Sequence, residues 1–245
     1  MFVSLPFNNV LALDAKTGNE IWRYEHDLNP NWKLCCGPSN RGVALQGKQL
    51  FFGTVDARLI SLNIKTGEKI WDINVVKNNV KTESTSDLDE SDANSDKQIS
   101  GGTGVGISMA PVVYNGKVII GITGVGYGLH VEEEGSNTPL GAVVGVSGKY
   151  GRSGFLAAYD IHSGQQIWQF NTILKSGWEG NFNNFIEDGL TLNRDIYHEK
   201  ATLEKYPNAA EFGGGSAWTT PAIDKETNTL FFGTGNPSPQ MSAET

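Results

Sequence analysis

The chain has 245 residues, with 27 acidic and 19 basic side chains and a formal net charge of −8. This acidic balance argues against nucleic acid as a partner, and no run of about 20 apolar residues could form a transmembrane helix. The chain has 30 glycines and six tryptophans but only 19% charged residues, which favours packed sheets over charged helices.

The first six residues have neither the basic region nor the long apolar region of a signal peptide. Two explanations are open: the protein is cytosolic, or the chain is an internal piece of a longer protein. The repeats in the sequence favour the second.

One pattern occurs three times, at residues 11–22, 60–71 and 156–168. It consists of alternating apolar residues, Asp or Asn, two spacers, Thr or Ser, Gly, three further residues and Trp. The alternation predicts a strand, the Asp or Asn caps a tight turn, and the Gly supplies a positive φ. Each copy therefore predicts a strand, a turn and a returning strand that carries the Trp.

A second strand-turn-strand unit occurs at residues 42–54, 110–121 and 221–234. Together the two units make a four-stranded antiparallel meander of about 50 residues, the size of a propeller blade. The chain opens inside one blade, continues through two complete blades and stops after two strands of another. We predict an all-β fold in which residues 1–245 form one incomplete propeller domain of about three to four blades.

Three stretches interrupt the repeats. Residues 77–100 include six acids and no base between 83 and 96, which predicts a disordered acidic loop. The spacing of Asp87, Asp89 and Asp92 departs from a calcium-binding EF-hand loop. Residues 124–147 form a Gly-rich insertion, and residues 171–213 form a long excursion with one helix expected around 199–206. Long loops on propellers often form the wall of a site.

The two cysteines, Cys35 and Cys36, are adjacent. They are either two free or buried thiols or a vicinal disulfide. Neighbouring Cα atoms are only about 3.8 Å apart, shorter than the usual disulfide span, so such a bond is strained. Strain of this kind is found mainly at functional sites.

The repeats, together with Cys-Cys followed by Asn-Arg-Gly, resemble the pyrroloquinoline quinone (PQQ)-dependent alcohol dehydrogenases. The best-known members are eight-bladed methanol and ethanol dehydrogenases. The resemblance runs from Met1 to Gln240 and is poorest in the three loops. It implies that the chain is part of an eight-bladed propeller, and it favours the vicinal disulfide.

The resemblance also implies a set of cofactor contacts. In the family the vicinal disulfide covers one face of the flat quinone, an arginine six residues after the first cysteine lies near the quinone carbonyls, and a tryptophan stacks under the other face. Serine or threonine hydroxyls donate hydrogen bonds to the cofactor. The matching residues here are Cys35, Cys36, Arg41, Ser108, Thr123, Ser216 and Trp218.

Two of these residues could have a purely structural role instead of a cofactor-binding one. Arg41 could form an ion pair at a blade edge. Trp218 could be ordinary core, although its setting in Gly-Gly-Ser-Ala-Trp suits the close approach of a planar ring.

The family's calcium site is only partly matched. Asn236, in Gly-Thr-Gly-Asn-Pro, corresponds to a calcium-ligating asparagine, and an amide oxygen is a suitable hard ligand. A second ligand, a glutamate, is missing in both possible alignments. In one, Thr123 takes the hydroxyl position and Gly126 replaces the glutamate.

In the other alignment the segment is one residue short. Ser147 then supplies the hydroxyl, and Lys149 or Tyr150 stands in the glutamate position. A lysine ammonium could replace the cation electrostatically, or one of the glutamates at 132–134 could reach the site. PQQ is therefore an expected cofactor, and calcium is expected to bind more weakly than in relatives that keep the glutamate.

No catalytic residue is assigned within the chain. The family's catalytic aspartate, which takes the alcohol proton, is expected beyond Thr245, and a cofactor-contacting glutamate is expected before Met1. The four histidines show no metal-ligand spacing.

The leading functional hypothesis is a fragment of a quinoprotein that oxidises an alcohol or sugar and passes electrons to cytochrome c or a quinone. The alternative is a non-catalytic propeller that acts as a protein-binding scaffold. A WD-type propeller is disfavoured because its Gly-His and Trp-Asp signatures are missing. A strained disulfide implies an oxidising compartment, so we expect the parent protein in the periplasm.

Equivalent first strands of a propeller lie beside its central channel. We therefore predict that five of the candidate residues surround one concavity on the axis: Cys35, Arg41, Ser108, Trp218 and Asn236.

Overall fold

The computed structural model describes residues 1–28, 32–34, 40–76, 106–122, 129–131, 153–173, 184–186, 188–205 and 214–235. For 32–34, 129–131 and 202–205 it describes the backbone only. The predicted acidic loop at 77–100 and most of the Gly-rich insertion lie outside these residues.

The described residues are mainly strands, with one α-helix, α1 (Ile196–Lys205), and a short 3-10 turn at Pro6–Asn8. The strands in chain order are β1 Phe2–Leu5, β2 Asn9–Leu13, β3 Glu20–Tyr24, β4 Trp32–Leu34, β5 Ala44–Gln46, β6 Gln49–Gly53, β7 Arg58–Asn63, β8 Lys69–Asn74, β9 Val112–Tyr114, β10 Lys117–Gly121, β11 Leu129–Val131, β12 Phe155–Asp160, β13 Gln166–Asn171, β14 Ala222–Asp224 and β15 Thr229–Phe231.

Four consecutive antiparallel sheets form the blades. Blade 1 is β1-β2-β3, blade 2 is β5-β6-β7-β8, blade 3 is β9-β10-β12-β13, and blade 4 is β14-β15. Blades 2 and 3 are complete meanders, while the described residues supply three strands of blade 1 and two strands of blade 4. The predicted all-β partial propeller is confirmed.

The repeated turns have the predicted chemistry. The Oδ1 atom of Asp14 accepts hydrogen bonds from the backbone N–H of Lys16 (2.9 Å) and Thr17 (2.8 Å), and Asn63 and Asp160 cap the equivalent turns. The glycine of each turn is left-handed, with φ of 77°, 75° and 70° at positions 18, 67 and 164. Local side-chain bonds and glycine thus close all three hairpins.

The core lies between blades, because alternate residues of each strand face opposite neighbours. Leu50 and Phe52 of β6 pack toward blade 1, whereas Phe51 packs toward blade 3. A smaller cluster that includes Ile119 and Leu156 joins blade 3 to blade 4. Each blade therefore shares its core with the next.

The repeated tryptophans join neighbouring blades. The indole N–H of Trp22 donates to the carbonyl of Ile64 in the next blade (3.0 Å), and Trp71 donates in the same way to Ile161 (3.0 Å). Trp22 also lies against the turn glycine of blade 2, where an added Cβ would be 2.7 Å from its ring. The third tryptophan, Trp168, is 37% exposed and lines a cavity of about 230 Å³ beside blade 4.

Two further elements lie outside the blades. A ribbon formed by β4 and β11 pairs Leu34 with Leu129, and it places part of the Gly-rich insertion beside the segment that precedes the cysteines. This pairing was not predicted. The helix expected in the excursion is present as α1, with Asp195 Oδ1 accepting from the His198 N–H (3.0 Å) in its first turn.

Within the described part of the chain, α1 is too short and too polar to cross a membrane.

Candidate functional site

Arg41 lies where three consecutive blades meet. Its backbone N–H and its guanidinium Nη1 both donate to the carbonyl oxygen of Ser108, at 3.1 and 3.2 Å. Its Cζ lies 5.2 Å from the ring centroid of Trp218, over the indole face. Each of these residues precedes the first strand of its own blade, so equivalent positions of blades 2, 3 and 4 converge.

Trp218 is not part of the described core clusters. The residue is 37% exposed, and Gly235 lies so close to it that an added Cβ would be 2.3 Å from the indole Nε1. Backbone bonds in both directions between Ser216 and Gly235 (2.9 and 2.8 Å) hold these segments together. This role of Gly235 was not predicted from the sequence, although Gly-Thr-Gly is typical of a close backbone approach.

The end of blade 3 holds the Gly-rich segment that carries Trp218. The Gly154 N–H donates to Gly214 O (2.8 Å), and the Thr172 hydroxyl lies 2.6 Å from Gly215 O and 2.7 Å from Gly154 O. A Cβ at Gly154 would lie 2.0 Å from Gly215 O. Glycine is required there because two backbones are in direct contact.

The two serines of the site are buried, Ser108 at 1% and Ser216 at 3% exposure. The contact between Ser108 and Arg41 uses the serine carbonyl, whereas the resemblance implies a cofactor-binding role for its hydroxyl. That role stays a prediction.

The other candidates lie outside the described residues. These are Cys35, Cys36, Thr123 and Asn236, together with the alternative metal-site positions Gly126, Glu132, Glu133, Glu134, Ser147, Lys149 and Tyr150. Asn236 directly follows Gly235, which contacts Trp218. Among the described residues no three His, Cys, Asp or Glu side chains form a metal-binding cluster.

The described contacts of Arg41 are with uncharged groups. Within the described ranges its contacts are a carbonyl oxygen and an indole face, and no carboxylate there pairs with it. A guanidinium fixed beside an exposed indole offers stacking area and positive charge together. Such a pair suits a planar anionic ligand.

A buried acid–base pair joins blades 1 and 2. His26 Nε2 lies 3.0 and 3.1 Å from the two carboxylate oxygens of Asp56, and the side chains are 6% and 13% exposed. Burial alone would raise the pKa of Asp56, but hydrogen bonds from His26 and Thr54 and the charge of His26 hold it below its usual value. Burial, followed by the charge of Asp72, raises the pKa of the nearby Tyr24 to about 12.

The chain is similar to curated quinoproteins over almost its whole length. It is 30% identical over 242 residues to the quinoprotein alcohol dehydrogenase PedH of Pseudomonas putida, covering 99% of this chain and 32% of the relative. It is 28% identical over 245 residues to the quinoprotein ethanol dehydrogenase of Pseudomonas aeruginosa, covering 98% of this chain and 32% of the relative. The chain thus spans about a third of the length of these relatives.

A solved structure has the same fold. The quinohemoprotein alcohol dehydrogenase from Comamonas testosteroni superposes with a TM-score of 0.60 and 26% identity, covering 98% of this chain and 28% of that one. The family model described as the beta-propeller domain of glucose, ethanol and alcohol dehydrogenases matches residues 1–244. With its repeats, its blades and a family match over residues 1–244, this chain belongs to the PQQ beta-propeller family.

Proposed function

We propose that this chain forms part of a PQQ-dependent oxidoreductase that oxidises an alcohol or a sugar and passes electrons to cytochrome c or a quinone. The observation that carries the proposal is the guanidinium of Arg41 over the partly exposed indole of Trp218, at the meeting point of three blades. The related quinoprotein and quinohemoprotein alcohol dehydrogenases support the substrate class.

The described residues fit the chemistry of PQQ, which is flat and carries carboxylate and carbonyl oxygens. The indole of Trp218 would stack on the ring, and Arg41 would bind anionic oxygens. A stacked ring would lie about 3.5 to 4.0 Å from the indole, so the ring and the guanidinium cannot cover the same area of that face. The guanidinium, which lies above the indole in the absence of PQQ, would therefore move to the edge of the bound ring. When bound, the quinone supplies the hydride acceptor for alcohol oxidation.

The remaining candidates complete the proposed site. Cys35 and Cys36 would cover the second face of the ring as a vicinal disulfide. The hydroxyls of Ser108, Thr123 and Ser216 would donate hydrogen bonds to its oxygens. We assign no catalytic base within this chain.

The disulfide is directly measurable. If it forms, the intact mass of the chain purified without reductant is lower by two hydrogen atoms, and reductant restores the higher mass. This outcome would also support the proposal that the parent protein resides in the periplasm, because disulfides persist in oxidising compartments. Two alkylatable thiols in material kept oxidised would contradict the disulfide.

Calcium binding is proposed to be weak. Asn236 would supply an amide oxygen, but the family's glutamate is replaced, so one anionic ligand is missing. A PQQ titration of the chain with and without a chelator tests this, and we expect little change in PQQ affinity. A strong loss of affinity with chelator would show that calcium is held by other ligands.

The cofactor assignment is tested by titrating the chain with PQQ and following the quenching of tryptophan fluorescence. We expect saturable binding that Trp218→Ala weakens at least about tenfold, because the stacking surface is removed. Trp168→Ala is the matched control, since Trp168 is also 37% exposed but lines the 230 Å³ cavity beside blade 4. Equal effects of the two substitutions, or no binding, would contradict the proposal and favour the scaffold function.

A further inference from the structure

Asn40 has three hydrogen bonds immediately before Arg41. Its side-chain Oδ1 accepts from the Gly42 N–H (2.8 Å), its Nδ2 donates to Gly53 O (2.8 Å), and its own carbonyl accepts from the Ser4 hydroxyl (3.4 Å). Both polar ends of the amide are therefore used. The bond to Gly42 spans Arg41 and fixes the backbone on either side of it.

The backbone at this point needs such support. Gly42 has φ of +133°, and a Cβ there would lie 3.4 Å from the Cβ of Ala110. The backbone directly after Arg41 is therefore in a conformation that other residues rarely adopt. The amide of Asn40 stabilises this conformation by linking the residues on both sides of the arginine.

Gly53, which accepts the hydrogen bond from Asn40, also helps to position the Ser108 carbonyl, which accepts from Arg41. Gly53, at the end of β6, lies so close to Ile107 that an added Cβ would be 2.1 Å from its Cγ2 atom. The Ile107 N–H donates to Thr54 O (2.8 Å), and Ser108 follows directly. One strand end therefore fixes both the arginine segment and the carbonyl that accepts its two hydrogen bonds.

We propose that Asn40 is a positioning residue that fixes the backbone around Arg41 and so holds its guanidinium on the Ser108 carbonyl, next to the indole of Trp218. Its importance for the cofactor rests on the proposed function. Its effect on the arginine does not, because every contact involved belongs to the chain itself. Asn40 acts through Arg41, and no contact of Asn40 with the cofactor is required.

The first test uses the full chain without cofactor. The indole N–H resonance of Trp218, assigned with Trp218→Phe, reports on the guanidinium above the ring. We expect Asn40→Ala to move this resonance toward its position in Arg41→Ala. Asn63→Ala, which removes the same type of bond (Asn63 Oδ1 to the Lys65 N–H, 2.9 Å) in a distant turn, should leave it unchanged.

A milder substitution covers the case in which Asn40→Ala fails to fold. Asn40→Asp keeps the acceptor for the Gly42 N–H but loses the donor to Gly53 O, and the same shift is expected. A Trp218 resonance that stays at its wild-type position in the folded variant would overturn the proposal.

The second test is a double-mutant cycle measured by PQQ titration. We expect Asn40→Ala to weaken PQQ binding about tenfold in the wild-type background and less than about twofold in the Arg41→Ala background. The same factor in both backgrounds would show that Asn40 does not act through Arg41. If the wild-type chain binds no PQQ, the proposed function fails, and the resonance measurement still decides the role of Asn40.

Discussion

At the scale of single residues, Arg41 does more than supply a positive charge. Its planar guanidinium donates to a carbonyl and covers an indole face at once, and a lysine ammonium lacks that shape. We predict that Arg41→Lys weakens PQQ binding about tenfold while the free energy of unfolding changes by less than about 1 kcal/mol.

Arg23→Lys is the control for this prediction, because Arg23 is also exposed and pairs with Glu20 on the outside of blade 1. Fluorescence titration and urea unfolding of the two variants separate binding from folding. PQQ affinity unchanged in Arg41→Lys would show that charge alone is sufficient.

The buried pair of His26 and Asp56 predicts how stability depends on pH. The folded pKa of Asp56 lies below the ordinary value of 3.8, so its contribution is present above that pH and is lost as the pH falls through the folded value. We predict that Asp56→Asn lowers the free energy of unfolding by about 2 kcal/mol at neutral pH. The difference from wild type should shrink below about pH 4.

Urea unfolding at several pH values checks this prediction. A difference between wild type and Asp56→Asn that stays constant down to about pH 3 would contradict the role assigned to the carboxylate.

At the scale of elements, two turn glycines have nearly the same backbone conformation but different surroundings. Gly18 has φ of +77° and open space around it, whereas Gly67 has φ of +75° and lies against the ring of Trp22. We predict that Gly18→Ala costs about 1 kcal/mol of stability from left-handed strain alone. Gly67→Ala should cost about 2 kcal/mol more, because the added methyl group would also push the ring of Trp22 in blade 1 away from the turn of blade 2.

Thermal or urea unfolding of both variants measures the difference. Equal losses would show that the contact between Trp22 and the turn contributes little to the joint between blades 1 and 2.

The hairpins could be predicted because their information is local. Asp14, Asn63 and Asp160 cap their turns from two or three residues away, and alternating apolar residues define the strands. The ribbon of β4 and β11 could not be predicted, because each strand has only three residues and the partners are far apart in sequence.

The candidate site likewise has features that could be predicted from the sequence and features that could not. The meeting of Arg41, Ser108 and Trp218 follows from their equivalent places in successive repeats. The close backbone approach at Gly154 depends on tertiary packing, so no local pattern marks it. The bond from the Gly42 N–H to Asn40 could have been predicted from the sequence, since Asn-x-Gly is typical of a side-chain-capped turn.

At the scale of the whole molecule, the cores between blades explain how distant segments form one site. Each blade shares its core with the next, so blades 2, 3 and 4 keep a fixed spacing. The segments before β5, β9 and β14 are therefore held in register, and their side chains meet. Repetition places the site, while the residues at these three positions determine what it binds.

The most direct test of the central claim is a crystal structure of the full chain with PQQ. We predict that the ring stacks on the indole of Trp218, with the Arg41 guanidinium at its edge and Cys35 and Cys36 on the opposite face. A ring bound elsewhere, for example in the 230 Å³ cavity beside Trp168 and Leu230, with Arg41 still covering the indole, would contradict the account.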